Sequence, residues 1–277
     1  MKRQWMLAVC ACATGLAAEP PTLDDAVHSL YNFDFRATHQ TLDRIIAAQP
    51  QDPLPYAFRS AAFLFAELDR LGTLEGEFLS SDDWAYDKKK LTPDPGVRNE
   101  MQKAMKDAEV RADAALKTNR QDKNALFALT IVQGVTADYM ALVDKKQFGS
   151  LGPSKRSNNY AQQLLKLDPK FYDAYMTAGF SEYIVGSLPF FVRWFVKWDN
   201  VDGSKEKGKE HLRLAAREGH YFKAFARILL AITAIREKRP KDAQKLLAEL
   251  THEYPENPLY RKELAKLNTK YGAVSGN

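Results

Sequence analysis

The chain has 277 residues, 45% of them hydrophobic, with 40 lysines and arginines against 35 aspartates and glutamates, a formal net charge of +5. That length and apolar content build a substantial core and exclude a chain disordered by composition. The small, dispersed positive balance excludes the clustered basic footprint of a nucleic-acid binder, so no nucleic-acid partner is expected.

Residues 1–18, MKRQWMLAVCACATGLAA, set Lys2 and Arg3 before an apolar run and end in the small residues Ala17 and Ala18, the layout of a secretory signal peptide. The expectation is a leader over 1–18, a mature domain over 19–277, and export to the periplasm or cell envelope. Both cysteines, Cys10 and Cys12, fall in this leader, so the mature chain is expected to hold neither disulfide nor thiol. A lipoprotein leader would acylate Cys10 or Cys12, but the preceding Val9 and Cys10 fit that pattern poorly. Beyond the leader no apolar run is read as approaching the ~20 residues of a membrane-spanning helix.

From residue 22 onward apolar residues recur with a helical period, and no segment sustains two-residue alternation, so helices and no sheet are predicted. Pro50, Pro169 and Pro255 each stop an amphipathic helix just before another opens. In chain order the pattern divides into antiparallel helix pairs over 22–49, 53–118, 122–167, 169–218 and 221–254, then a terminal helix over 257–271. The second pair carries an insert from Gly72 to Gly96, rich in Gly, Pro, Asp and Lys. The fourth carries SLPFFVRWFVKW, Ser187 to Trp198, between its helices.

Ser187 would cap a short extra helix with Pro189 at its entrance. Its stripe of Pro189, Arg193 and Lys197 then opposes Leu188, Phe191, Trp194, Phe195 and Trp198. Three readings of this helix stay open. As a plug inside the array, each aromatic would bury about 150–250 Å². As a platform, Arg193 and Lys197 would meet an acidic group over a floor of Trp194 and Trp198. As an interfacial helix, it would give peripheral membrane contact without a span.

LDPKFYDAYMTAGFSEYIVG, Leu167 to Gly186, places Tyr175, Ala178, Gly179 and Gly186 after an Asp-Pro stop. LLAITAIREKRPKDAQKLLAELTHEYPENP supplies Leu230, Ala231, Ala243, Leu247, Leu250 and Pro255. In these residues the chain resembles the tetratricopeptide-repeat superfamily, whose unit is about 34 residues. The resemblance spans nearly the whole mature chain and is closest in the last two units; Glu182 stands where the family has an aromatic. It implies an all-α, right-handed solenoid of about five antiparallel helix pairs with a C-terminal capping helix and inserts in the second and fourth pairs. It also implies a concave face that binds peptides or partner domains.

Chemistry-bearing motifs are weak. GSKEKGKE, Gly203 to Glu210, has the glycine and lysine spacing of a phosphate loop but ends in Glu210 where a hydroxyl is needed, and it follows a helix; Gly208 reads instead as a packing position. The histidines at 28, 39, 211, 220 and 252 show no metal-ligand spacing. Asp24 with Asp25 and Asp82 with Asp83 read as helix-start and loop charge. No catalytic residue, metal or cofactor is therefore expected.

The resulting expectation is a non-enzymatic interaction scaffold or adaptor in the bacterial cell envelope. It would bind a peptide or partner protein through Tyr175, Tyr183, Arg193, Trp194, Lys197 and Trp198, with Asn124 and Lys223 as lesser candidates. The alternative is a periplasmic carrier of a small apolar or acidic ligand or lipid, resembling the tetratricopeptide-repeat component associated with tripartite substrate transporters. Amino-terminal sequencing of exported protein is expected to begin at Ala18 or Glu19; a start at Met1 would remove the leader, and an acylated Cys10 or Cys12 would replace it with a lipid anchor.

Overall fold

The computed structural model describes residues 20–75, 91–188 and 201–273. Among these the chain is all-helical, with eleven α-helices and no strand. They are α1 (Leu23–Tyr31), α2 (Phe35–Ala48), α3 (Pro53–Arg70), α4 (Pro95–Thr118), α5 (Lys123–Asp138), α6 (Gln147–Leu167), α7 (Ala174–Ser187), α8 (Lys205–Glu218), α9 (Lys223–Arg236), α10 (Pro240–Glu253) and α11 (Pro258–Tyr271). Between α5 and α6 the helix widens into a π turn, Tyr139–Val143.

Short polar residues set most of the starts. Thr22 and Asp25 form a reciprocal capping box at α1. Asp34, Asp52, Asp94, Asp122, Ser204 and Asn257 accept first-turn backbone N–H groups of the helices they precede, which satisfies donors that have no partner within the helix. Pro53, Pro95 and Pro258 follow their caps directly, where the missing N–H costs nothing. The stops fall as the prolines predict: α2, α6 and α10 end two residues before Pro50, Pro169 and Pro255. One stop is built twice with the same bond. The Tyr56 hydroxyl donates to the carbonyl of Pro50, and the Tyr175 hydroxyl to that of Pro169, each at 3.2 Å.

Each helix packs on the next along the chain. A close approach joins α7 to α8, where a Cβ on Gly179 would lie 2.7 Å from the carbonyl oxygen of Gly208, and one on Gly208 2.7 Å from that of Gly179. Only glycine fits either position, and the lysines of GSKEKGKE are simply the opening turn of α8, capped by Ser204.

Two buried glutamates tie the long connections down. Glu67, near the end of α3, accepts both Arg70 nitrogens at 2.8 Å and the backbone N–H of Asp94 at 2.7 Å. The Arg70 bonds hold its carboxyl below the ordinary glutamate value. Glu182, in α7, accepts the N–H groups of Gly203 and Ser204 at 2.8 and 3.1 Å and pairs with Lys207 at 2.8 Å. Burial pushes this carboxyl up, but the bonds from Lys207 and the backbone outweigh it and hold the value low. Each clamp holds the cap residue of the following helix, so the connection returns at a fixed point whatever its length. Glu182 thus has a structural role of its own, tying the start of α8 to α7.

Two expectations need correction. Ser187 is the last residue of α7, its hydroxyl bonded to the carbonyl of Tyr183 at 2.8 Å, so it ends a helix where a cap was expected. Lys123–Val143, 21 residues, does have the length and composition to cross a membrane, although two thirds of its apolar window is buried inside the fold. It is apolar nearly all round because other helices cover it on several sides; scattered Thr and Gln hid this in a search for unbroken apolar runs.

The two ends of the described chain meet. Asn257 donates to the carbonyl of Tyr31 at 2.7 Å, Asn32 accepts the N–H of Glu256 at 3.2 Å, and the Tyr31 hydroxyl donates to the carbonyl of Tyr221 at 2.9 Å. The Tyr31 and Tyr254 rings lie 5.4 Å apart, and Glu75 pairs with Lys262 at 2.6 Å and Lys266 at 3.1 Å. Helix α1 and the turn after α3 therefore close onto α10 and α11. In denaturant unfolding, Gly179→Ala is expected to lose about 1–3 kcal/mol, the usual cost of forcing atoms into a filled contact; unchanged stability would mean the two helices can part freely.

Candidate functional site: the inner face

The faces of α3, α5 and α9 that look toward one another carry aromatic residues. Phe127 of α5 lies 5.2 Å from Phe222 and 5.1 Å from Phe171, which precedes α7, by ring centroids. Phe58 of α3 lies 5.3 Å from Tyr221 and 6.3 Å from Phe127. All of these residues sit at or just before the amino-terminal ends of α3, α5, α7 and α9, and their tilted and edge-on contacts are the favoured aromatic geometries. Asp173 fixes the cluster by accepting the N–H of Phe222 at 2.7 Å; burial raises its carboxyl despite that bond. The cluster is a floor. Phe127 is wholly buried and Phe58 nearly so.

Above the floor the walls continue on the same helix faces. Phe65, two turns beyond Phe58, meets Phe225 edge-on at 5.6 Å. On α5 the residues seven and eleven positions after Ile131 and Phe127 coincide at Asp138, within about 20° of each on a helix of 3.6 residues per turn. Asp138 is the only charged residue between Asn124 and Val143. Burial raises its carboxyl from the ordinary aspartate value to about 7. Its side chain is nevertheless only half-buried. Protein surrounds this carboxyl on most sides, and solvent still reaches it.

The π turn begins at the next residue and is closed by the N–H of Asp144 on the carbonyl of Tyr139 at 3.0 Å. Such turns shift the register of the side chains that follow and occur often at functional positions. At the closing seam a cavity of about 180 Å³ lies between Asp69, Leu74 and Glu75 on one side and Pro258, Leu259 and Lys262 on the other.

The expected binding residues lie elsewhere or outside the described chain. Tyr175 is half-buried and turned toward α8, its ring 5.2 Å from His211. Tyr183 is 3% exposed, with Lys205 6.0 Å above its ring. Both belong to the α7–α8 contact, and neither joins the aromatic floor. Asn124 is exposed on the first turn of α5, and Lys223 is half-buried on that of α9. Arg193, Trp194, Lys197 and Trp198 lie outside the described residues, as does most of the Gly72 to Gly96 insert. The aromatic residues that do assemble, Phe58, Phe65, Phe127, Phe222 and Phe225, were not singled out by sequence, nor was Asp138 further along the same face of α5. A single acid in twenty otherwise uncharged residues was the available signal for Asp138.

This surface combines aromatic area with one carboxyl whose value burial raises. Comparison with protein-family models and with curated proteins finds no match for the chain.

A carboxyl whose folded pKa is raised contributes stability that is complete below its unfolded value and is lost as pH rises through about 7. Asp138→Asn is therefore expected to gain on the parent protein between about pH 4 and pH 8, by up to about 4 kcal/mol from a shift of roughly three units. Urea denaturation at several pH values checks this; parallel profiles for the two proteins would mean that Asp138 is freely solvated.

Proposed function

We propose that the chain is a non-catalytic helical-repeat protein of tetratricopeptide type, exported to the cell envelope, that carries a small amphipathic molecule inside a ring of helices. Several features support reading the fold as five antiparallel pairs and a capping helix. These are the repeated Tyr–Pro carbonyl bond, the glycine contact between α7 and α8, and packing that runs chiefly from each helix to the next. In that reading both long connections and the π turn leave from the carboxy-terminal ends of the inner helices, on the side opposite the aromatic floor.

The observation that carries the functional reading is the junction of the two ends, with Asn257 bonded to the carbonyl of Tyr31. A closed ring with an aromatic floor suits a compact ligand that enters from one side. A peptide laid along an open concave groove, the role drawn from the resemblance, needs a gap between first and last helices that this junction fills. The outer surface remains for any protein partner.

Native mass spectrometry of protein purified from its own envelope extract tests the reading. A noncovalent small molecule released on denaturation is expected. A ligand-free protein that instead co-purifies with a stoichiometric partner would return the chain to the scaffold class.

A further inference from the structure

We propose that the exposed face of α6 docks on an anionic phospholipid bilayer, with Phe148 entering the boundary between head groups and acyl chains. This surface lies apart from the inner face, and the inference does not depend on the carrier reading.

The first observation is an aromatic side chain held in water. Phe148 is 87% exposed, the most exposed of the large apolar residues among those described, whereas phenylalanine ordinarily buries most of its area. It is not carried on a slack loop. The Lys146 N–H donates to the carbonyl of Met140 at 2.7 Å, the Ser150 N–H to that of Lys146 at 3.0 Å, and the Ser150 hydroxyl to that of Gln147 at 2.7 Å. These bonds fix the first turn of α6 against the π turn. Gly149 tightens the junction, since a Cβ there would lie 2.8 Å from the Met140 methyl.

The second observation is charge of one sign. On a helix of 3.6 residues per turn, Leu151, Lys155, Asn159, Gln162 and Lys166 all fall within about 60° of Phe148. Helix α6 carries Lys155, Arg156 and Lys166 and has no aspartate or glutamate in its 21 residues. The acids that flank it are engaged: Asp144 with Arg98 at 3.4 Å and Lys146 at 3.5 Å, and Asp168 with Lys123 at 2.9 Å. The stripe therefore presents an aromatic residue at one end and lysines along its length.

Such a charge pattern calls for an anionic partner, and the aromatic decides which. Lysines at an anionic leaflet meet its negative surface potential, while the ring leaves water for the apolar boundary below the head groups. An acidic protein would pair with the lysines but would need a pocket of its own for a ring this exposed; a bilayer accepts it without one. One aromatic and a few lysines give reversible peripheral contact and no span.

Co-sedimentation of the full-length protein with phosphatidylcholine vesicles, with and without about one-third phosphatidylglycerol, at about 0.1 M salt, tests the assignment. Binding to the anionic vesicles is expected to be at least about tenfold tighter, the scale of two lysines at a charged leaflet. Lys155→Gln combined with Lys166→Gln should reduce that preference about tenfold. Phe148→Ala should weaken binding to anionic vesicles by about tenfold. Val110→Ala, at an exposed apolar residue of α4, should leave it unchanged. Residues 1–18 are the same in every variant, so the differences between variants decide. Equal binding to the two vesicle types, or a Phe148 or lysine variant that binds as the parent does, overturns the assignment. Binding to neither vesicle also overturns it, and polyglutamate binding lost in the lysine variant would then give the face to an acidic protein.

Discussion

Asn257 performs two tasks with one fully buried side chain. Its Oδ1 accepts the N–H groups of Leu259 and Tyr260 as the cap of α11, and its Nδ2 donates to the carbonyl at the end of α1. The cap that starts the last helix is thus also the bond that ties it to the first. A chain of helices in which each rests on the next has no intrinsic reason to close, since nearest-neighbour packing alone yields an open stack. Closure here follows from the polar ends of α1 and α11 being complementary, with Tyr31, Tyr254 and Tyr260 packed around the bond.

Closure changes what the interior can be. The inner faces of α3, α5 and α9 converge on one aromatic cluster. An open array would expose Phe65 and Phe225 to solvent and to neighbouring molecules, where contiguous apolar surface invites association. In this structure the two rings meet edge-on instead. The glutamate clamps at 67 and 182 fix the points at which the chain enters α4 and α8.

Sequence and structure agree best where the cause is local. Helix starts at Asp-Pro and Asn-Pro, stops before Pro50, Pro169 and Pro255, and the packing role of Gly208 need only neighbours in the chain, and all were legible. Tyr175 and Tyr183 were recognisable as special, but their partners on α8 are what make them packing residues. The inner face was not legible, because its members come from helices far apart in sequence and each one alone reads as ordinary core. Asp138 was hidden for a related reason: an acid inside an apolar helix means little until the direction it faces is known. The contact between Asn257 and Tyr31 spans most of the chain and left no local trace.

The most direct test of closure is a distance across the junction. With Cys10 and Cys12 replaced by serine, spin labels at Arg36→Cys in α2 and Arg261→Cys in α11, both exposed, can be measured by double electron–electron resonance. Touching helices lie about 10 Å apart, so a closed ring predicts one narrow distribution on the order of 20 Å. A broad distribution centred on the order of 50 Å, as expected when the same helices stack openly at that spacing, would contradict closure and the enclosed interior that depends on it.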